Sequence, residues 1–240
     1  MITKRFHRDH IAGGAERFAW RLASKLADSG SAVNVLGARL RKGWKSSEKV
    51  STGKGIIRVK RFPHPRFRLL GTFMYNLSLF FELAFKHRSV SVVHVNFASK
   101  ELMTAATARA LGGPPVVCRI ACAGETGELA IISRTRYARL FKHLTRWVDS
   151  FVALSDEIEE ELECFGIEPD RIVKIPNGVD TDVFIPPSSE ERNSARTLLG
   201  LGNGELAIAF AGRLSHQKGL DVLIRAAGRL HGHIKVLIAG

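Results

Sequence analysis

Acidic residues are scarce in this chain of 240 residues: 23 Asp and Glu stand against 36 Lys and Arg, for a net charge of +13. The deficit is confined to residues 1–150, which hold 27 cations and 9 acids, whereas the remainder holds 9 and 14. Two regions with different partners follow from that asymmetry. Cysteine is also rare. Cys118, Cys122 and Cys164 are odd in number and lack zinc-type paired spacing, which argues against a disulfide framework or a structural metal and fits a reducing cytosol. No apolar run reaches membrane-spanning length free of polar groups, and the polar, basic residues 1–10 lack the apolar stretch of a secretion signal. A cytoplasmic protein, at most peripheral at the inner face of a membrane, is expected. Helix-turn-helix, zinc-finger and aromatic RNA-binding signatures are missing too, so nucleic acid is not an expected partner despite the charge.

What is present centres on residues 206–230. The apolar run Leu206-Ala207-Ile208-Ala209-Phe210-Ala211 reads as a buried strand, closed by Gly212. Arg213 to Gly219 forms a turn, and Leu220, Val222, Leu223, Ile224, Ala226, Ala227 and Leu230 follow a helical period. Arg213 and Lys218 therefore lie between a strand's carboxyl end and a helix's amino end, where open α/β sheets bind ligands. Free N–H groups and the helix dipole favour an anion there. Arg supplies a planar fork and Lys a mobile point charge, a combination suited to a diphosphate. Gly200-Leu201-Gly202-Asn203-Gly204 resembles a dinucleotide glycine motif only superficially, because it precedes a strand and lacks the spacing.

Elsewhere strands alternate with helices. Residues 11–16 open a helix that Gly30 stops; strands are expected at 32–36, 56–62, 90–97, 115–120, 151–154, 172–175 and 234–238. Residues 39–54 read as a basic loop, 69–85 as a long apolar helix, and 127–146 as holding a helix of uncertain register. Ser155 or Asp156 is expected to cap a short acidic helix, with Glu159 three residues after Asp156 as in a capping box. The alternation predicts an α/β fold with right-handed crossovers and a mostly parallel sheet. The proline-rich stretch at Pro186 marks the expected boundary: residues 1–186 as one Rossmann-like domain, its first strand missing, and 187–240 as the beginning of a second.

Together, Gly13-Gly14-Ala15-Glu16 before a helix, Ile175-Pro176-Asn177-Gly178-Val179-Asp180, and Arg213 with Lys218-Gly219-Leu220 resemble family 4 glycosyltransferases of the GT-B fold. The resemblance implies a nucleotide-sugar donor, transfer with retention at the anomeric carbon, and no metal or other cofactor. It implies that Arg213 and Lys218 bind the donor diphosphate and that Gly13 and Gly14 form a donor-proximal loop; a plain helix-start turn is the other reading of the glycines. Asn177 and Gly178 read as a domain-junction turn. The acceptor is open: a glycan, a lipid-linked molecule or a small molecule. The chain departs from the family in three places. Only residues 1–10 stand where the family's first strand lies, the family's paired glutamates fall past residue 240, and no His follows the strand at 115–120. No catalytic residue is assigned, and His94 and His143 read as ordinary structural or surface histidines. These 240 residues alone are expected to transfer sugar poorly or not at all.

Residues 39–68 carry eleven Lys and Arg against one acid, Glu48, directly before the apolar stretch 69–85. A solvated loop ahead of a core helix and a surface for anionic lipid are both compatible with that pattern. A non-catalytic remnant, or an anion- or membrane-surface-binding protein using residues 39–68, is the competing class.

Overall fold

Alanines recur every fourth residue along Gly14–Asp28, which forms the first helix, α1; Ala19, Ala23 and Ala27 are buried. Without bulk on that stripe the helix lies close to the sheet beneath it. The computed structural model describes residues 1–7, 13–65, 67–87, 90–202, 204–230 and 232–240. Residues 8–12, which include the expected helix opening at Ile11 and Ala12, lie outside that set, as do Arg66 and Asn203. The chain divides into two units, Met1–Asn177 and Gly178–Gly240.

The first unit is built on strands β1 (Val33–Arg39), β2 (Ser47–Ser51), β3 (Ile56–Pro63), β4 (Val93–Val95), β5 (Val116–Arg119), β6 (Ser150–Ala153) and β7 (Ile172–Lys174). Their orders are β1-β3-β2 and β4-β5-β6-β7, with only β2 antiparallel to its neighbour. Residues 1–4 join the two sets. Ile2 bridges in parallel to both Leu36 and Val95, and its backbone N–H donates to the His94 carbonyl at 2.7 Å while the Leu36 N–H donates to the Met1 carbonyl at 2.9 Å. The expectation that the first strand is missing is thus corrected: residues 1–4 occupy the centre of the sheet. The segment escapes a periodicity test because it is too short for alternation to register, although Ile2 is only 1% exposed.

Two further expectations change. Within the stretch read as a loop, Ser47–Ser51 pairs with β3 as an edge strand, and its alternately exposed residues give it no apolar face to detect. The helix within 127–146 is two, α4 (Glu128–Ser133) and α5 (Ala138–Leu144). Of the two expected caps of helix α6 (Asp156–Phe165) it is Ser155 that serves, its side chain accepting from the Ile158 N–H, while Asp156 and Glu159 meet Lys174. The stretch 69–85 forms α2 (Arg68–Phe81) and a following π turn, Glu82–Lys86. Helix α3 (Lys100–Ala110) packs beside α2.

Two apolar clusters hold this unit. One lies under α1 and joins Ala19, Ala23 and Ala27 to Val33, Val35, Ile57 and Val59. The larger gathers Leu36, Tyr75, Leu79, Leu83, Leu102, Val116, Phe151 and Leu162. Val35 faces the first and Leu36 the second, as alternation along a strand requires.

The second unit starts with α7 (Ser189–Leu198), where Ser188 and Glu191 form a reciprocal capping box. Strands β8 (Leu206–Ala211) and β9 (Ile234–Ala239) then pair in parallel around α8 (Leu220–Ala227).

Helix α2 gives a direct test of these packing assignments. Leu79 has no exposure and Leu77, on the other face, is 42% exposed. In urea titrations Leu79→Ala should cost about 2–5 kcal/mol and Leu77→Ala no more than about 0.5 kcal/mol. Equal costs would show that the faces are misassigned.

Candidate functional site

Because the strands flanking residues 1–4 run parallel, their carboxyl ends share one side of the first unit. Asn96, Arg119 and Asn177 follow or end β4, β5 and β7 there. Asn96 donates through Nδ2 to the Ala15 carbonyl at 3.1 Å, tying the first turn of α1 to the sheet. Gly13, in extended conformation, precedes that turn as its cap residue, and α1 has no side-chain cap. Among the described residues a side chain built at Gly14 would meet nothing within 4 Å, and one at Gly13 would reach only Glu16 Oε2, at 3.8 Å. Neither φ is positive, so what these glycines provide is the lack of a side chain at the start of the helix, not a forced turn.

Arg119 has 4% exposure. Its guanidinium lies 3.8 Å from the ring centroid of Phe18, one turn into α1. Its Nη2 donates to Asn177 Oδ1 at 2.9 Å. Among the described residues Nε and Nη1 have no partner. Burial lowers its pKa from the usual arginine value, opposed by the nearby Glu128 carboxylate. Glu128, at the start of α4, accepts from the Ala98 N–H at 2.8 Å and the Ala121 N–H at 2.9 Å. One carboxylate thereby ties the loop after β4 to the loop after β5. Burial pushes its pKa up to about 7, against those N–H groups and Arg119. Neither residue is singled out in the sequence. Arg119 reads there as the polar end of an apolar strand; the signal available was a cation at a strand's carboxyl end, the same argument that selects Arg213.

The two histidines behave as expected of structural and surface groups. Burial lowers the His94 pKa to about 4, and exposed His143 bonds Arg146 Nη2 at 2.8 Å.

In the second unit, Arg213 follows β8 and Lys218 ends a short turn, His216–Lys218, ahead of α8. The Lys218 N–H closes on the Ser215 carbonyl at 2.9 Å. Gly219, with φ +66°, then starts α8 in the left-handed region that glycine adopts without strain. Both cations are exposed, and among the described residues neither side chain has an acceptor. Gly178 opens this unit, and Asn177 closes the first.

Residues 12–183 match the family described as Glycosyltransferase Family 4. Over 89 residues the chain is 38% identical to the D-inositol 3-phosphate glycosyltransferases of Mycobacterium bovis and Mycobacterium tuberculosis, 37% of this chain and 18% of those proteins. Among solved structures it superposes on Anabaena Alr3699/HepE in complex with UDP-glucose with a TM-score of 0.67, at 17% identity, covering 97% of this chain and 58% of that one. Sucrose-phosphate synthase from Thermosynechococcus elongatus gives a TM-score of 0.71 at 17% identity, covering 95% and 57%. A glycosyltransferase from Rickettsia africae gives 0.60 at 17% identity, covering 100% and 68%. The GT-B fold expected from the sequence is thereby shown. The stretch of the chain that matches them covers 18% of the length of those mycobacterial relatives.

The raised Glu128 pKa sets a pH dependence. The group keeps its proton to about 7 in the fold and loses it near its ordinary 4.5 when unfolded. Its stabilising contribution is complete below 4.5 and fades as pH climbs towards 7. Melting curves across that range should show Glu128→Gln gaining on the parent as pH rises. A constant difference between the two would refute the assignment.

Proposed function

The chain belongs to glycosyltransferase family 4, and we propose that it serves to move a sugar from a nucleotide-sugar donor to an acceptor with retention at the anomeric carbon. The loop between β8 and α8 carries this reading. As the sugar departs, negative charge grows on the diphosphate left behind. Cations fixed beside it stabilise that charge with little reorganisation. Arg213 takes the role of a planar fork and Lys218 of a mobile charge, and the pair does this without a metal or other cofactor. The absence of competing acceptors for both side chains among the described residues supports the assignment, as do the HepE structures that hold UDP-glucose and UDP. The lack of side chains at Gly13 and Gly14 suits a donor-proximal loop, with Asn177 and Gly178 as the domain-junction turn. Residues 1–186 then serve the acceptor and 187–240 the donor.

A membrane-facing acceptor side is the finer part of the proposal. Leu69, Phe73, Leu77, Phe81 and Phe85 recur every fourth residue and are all exposed, opposite buried Tyr75, Leu79 and Leu83. The cations lie on the same side of the sheet. Phe62 packs towards Tyr75 of α2 and Lys60 pairs with Glu82, so Arg58, two residues before Lys60 on β3, faces that way. Lys49 stands directly opposite Arg58. Like charges so placed repel, a cost that an anionic surface removes. Among the described residues no helix is long and apolar enough to cross a membrane, so the contact is peripheral.

Two experiments test these readings. In calorimetry, Arg213→Ala or Lys218→Ala should weaken binding of UDP or another nucleoside diphosphate by roughly tenfold or more, the scale of a lost charge-assisted hydrogen bond; unchanged affinity refutes the phosphate role. In sedimentation, the chain should pellet with phosphatidylglycerol vesicles at low salt and not with phosphatidylcholine vesicles, and Phe73→Asp should abolish pelleting. Equal recovery of parent and variant removes the membrane proposal.

A further inference from the structure

Arg119 is the least explained charge in the first unit. A guanidinium carries five N–H donors and stays protonated. Here Nη2 is bonded to Asn177, while Nε and Nη1 are buried with no partner among the described residues. Glu128 offsets the charge only at a distance, since its oxygens accept from the backbone of Ala98 and Ala121. Stacking on Phe18 covers a face of the group and leaves its in-plane donors unused. Buried donors without acceptors are rare and costly. An apolar side chain of similar size would not carry the desolvation cost of these unpaired donors. Stability alone therefore gives no reason for an arginine here.

Position supplies a reason. Arg119 ends β5 at the carboxyl side of a parallel sheet, where α/β folds take their ligands. Its contacts reach two of the segments that sequence reasoning selects: α1, just after Gly13 and Gly14, through Phe18, and the junction turn through Asn177. We infer that Arg119 is a substrate-binding residue whose unused donors receive an oxyanion, a phosphate or carboxylate carried by one of the two substrates. The inference rests on the sugar-transfer reading and names a chemical feature that reading leaves open. The oxyanion belongs either to the donor's diphosphate or to an acidic acceptor. In both cases it completes the guanidinium's hydrogen bonds and balances a charge that Glu128 balances only from afar.

The test uses Arg119→Met, which keeps the apolar stem and removes the donors, and Arg119→Lys, which keeps the charge. Inorganic phosphate is titrated calorimetrically into the chain carrying Arg213→Ala and Lys218→Ala, so that those two cations do not contribute. Adding Arg119→Met should weaken phosphate binding roughly tenfold to a hundredfold, the loss expected for hydrogen bonds to a charged group, with Arg119→Lys intermediate. Thermal unfolding should place Arg119→Met at or above its parent. UDP titrated into the chain with Arg213 and Lys218 intact then separates the sources: weaker binding in Arg119→Met assigns the oxyanion to the donor, and unchanged UDP binding with weaker phosphate binding assigns it to the acceptor. Phosphate affinity unaffected by either Arg119 variant overturns the inference. So does an Arg119→Met chain that fails to fold while Arg119→Lys binds phosphate as its parent does, because the role is then structural. Neither result touches the sugar-transfer reading, which depends on UDP binding through Arg213 and Lys218.

Discussion

Backbone pairing of residues 1–4 between β1 and β4 is the constraint on which the first unit depends. Ile2 contributes one buried side chain, and its own and its neighbours' N–H and carbonyl groups close the gap between two strand sets that otherwise present open edges. A parallel sheet tolerates no such gap, because an unpaired edge in its interior leaves backbone polar groups buried without partners. With the seam closed, β1, β3, β4, β5, β6 and β7 run in one direction and their carboxyl ends share a side. Asn96, Arg119, Glu128 and Asn177 converge there for that reason alone.

Charge is distributed to match. The Glu128 carboxylate gathers backbone N–H groups from two loops and holds them at fixed spacing next to the buried Arg119. In the second unit the cations of the β8–α8 loop stay exposed instead. The two units thus offer different electrostatic environments to a bound anion: a buried, partly balanced guanidinium in the first, and a solvated pair in the second. Solvated charges are screened by salt far more than buried ones, so contributions from the two should separate with ionic strength.

Much of this was legible in the residues. The apolar run at Leu206 and the helical period after Gly219 located β8, α8 and the loop that carries Arg213 and Lys218. The alanine and glycine pattern located α1. What escaped did so for definable reasons. Residues 1–4 are too few for alternation to register. Residues 47–51 lie at an edge, where pairing to one neighbour leaves side chains mostly in solvent and no burial pattern forms. The choice between Ser155 and Asp156 as cap stayed open in the sequence because it turns on Lys174, a partner far along the chain that meets the Asp156 carboxylate. Arg119 was hidden for the same kind of reason. Its environment is assembled from Phe18, Glu128 and Asn177, and only the closed sheet brings those together.

Strand β2 has a last consequence. Among the described residues it terminates the sheet, with β3 as its strand neighbour, so its other side can pair with a strand from another molecule. Lys49, in the middle of that strand and opposite Arg58, is the kind of charge that discourages such docking. This protection is electrostatic and reaches only about 10 Å at 0.1 M salt, and about 3 Å at 1 M. Concentrated salt, the usual remedy for a sticky basic protein, therefore weakens the barrier against strand-to-strand association, and dilute buffer is the medium in which separate chains are best kept apart.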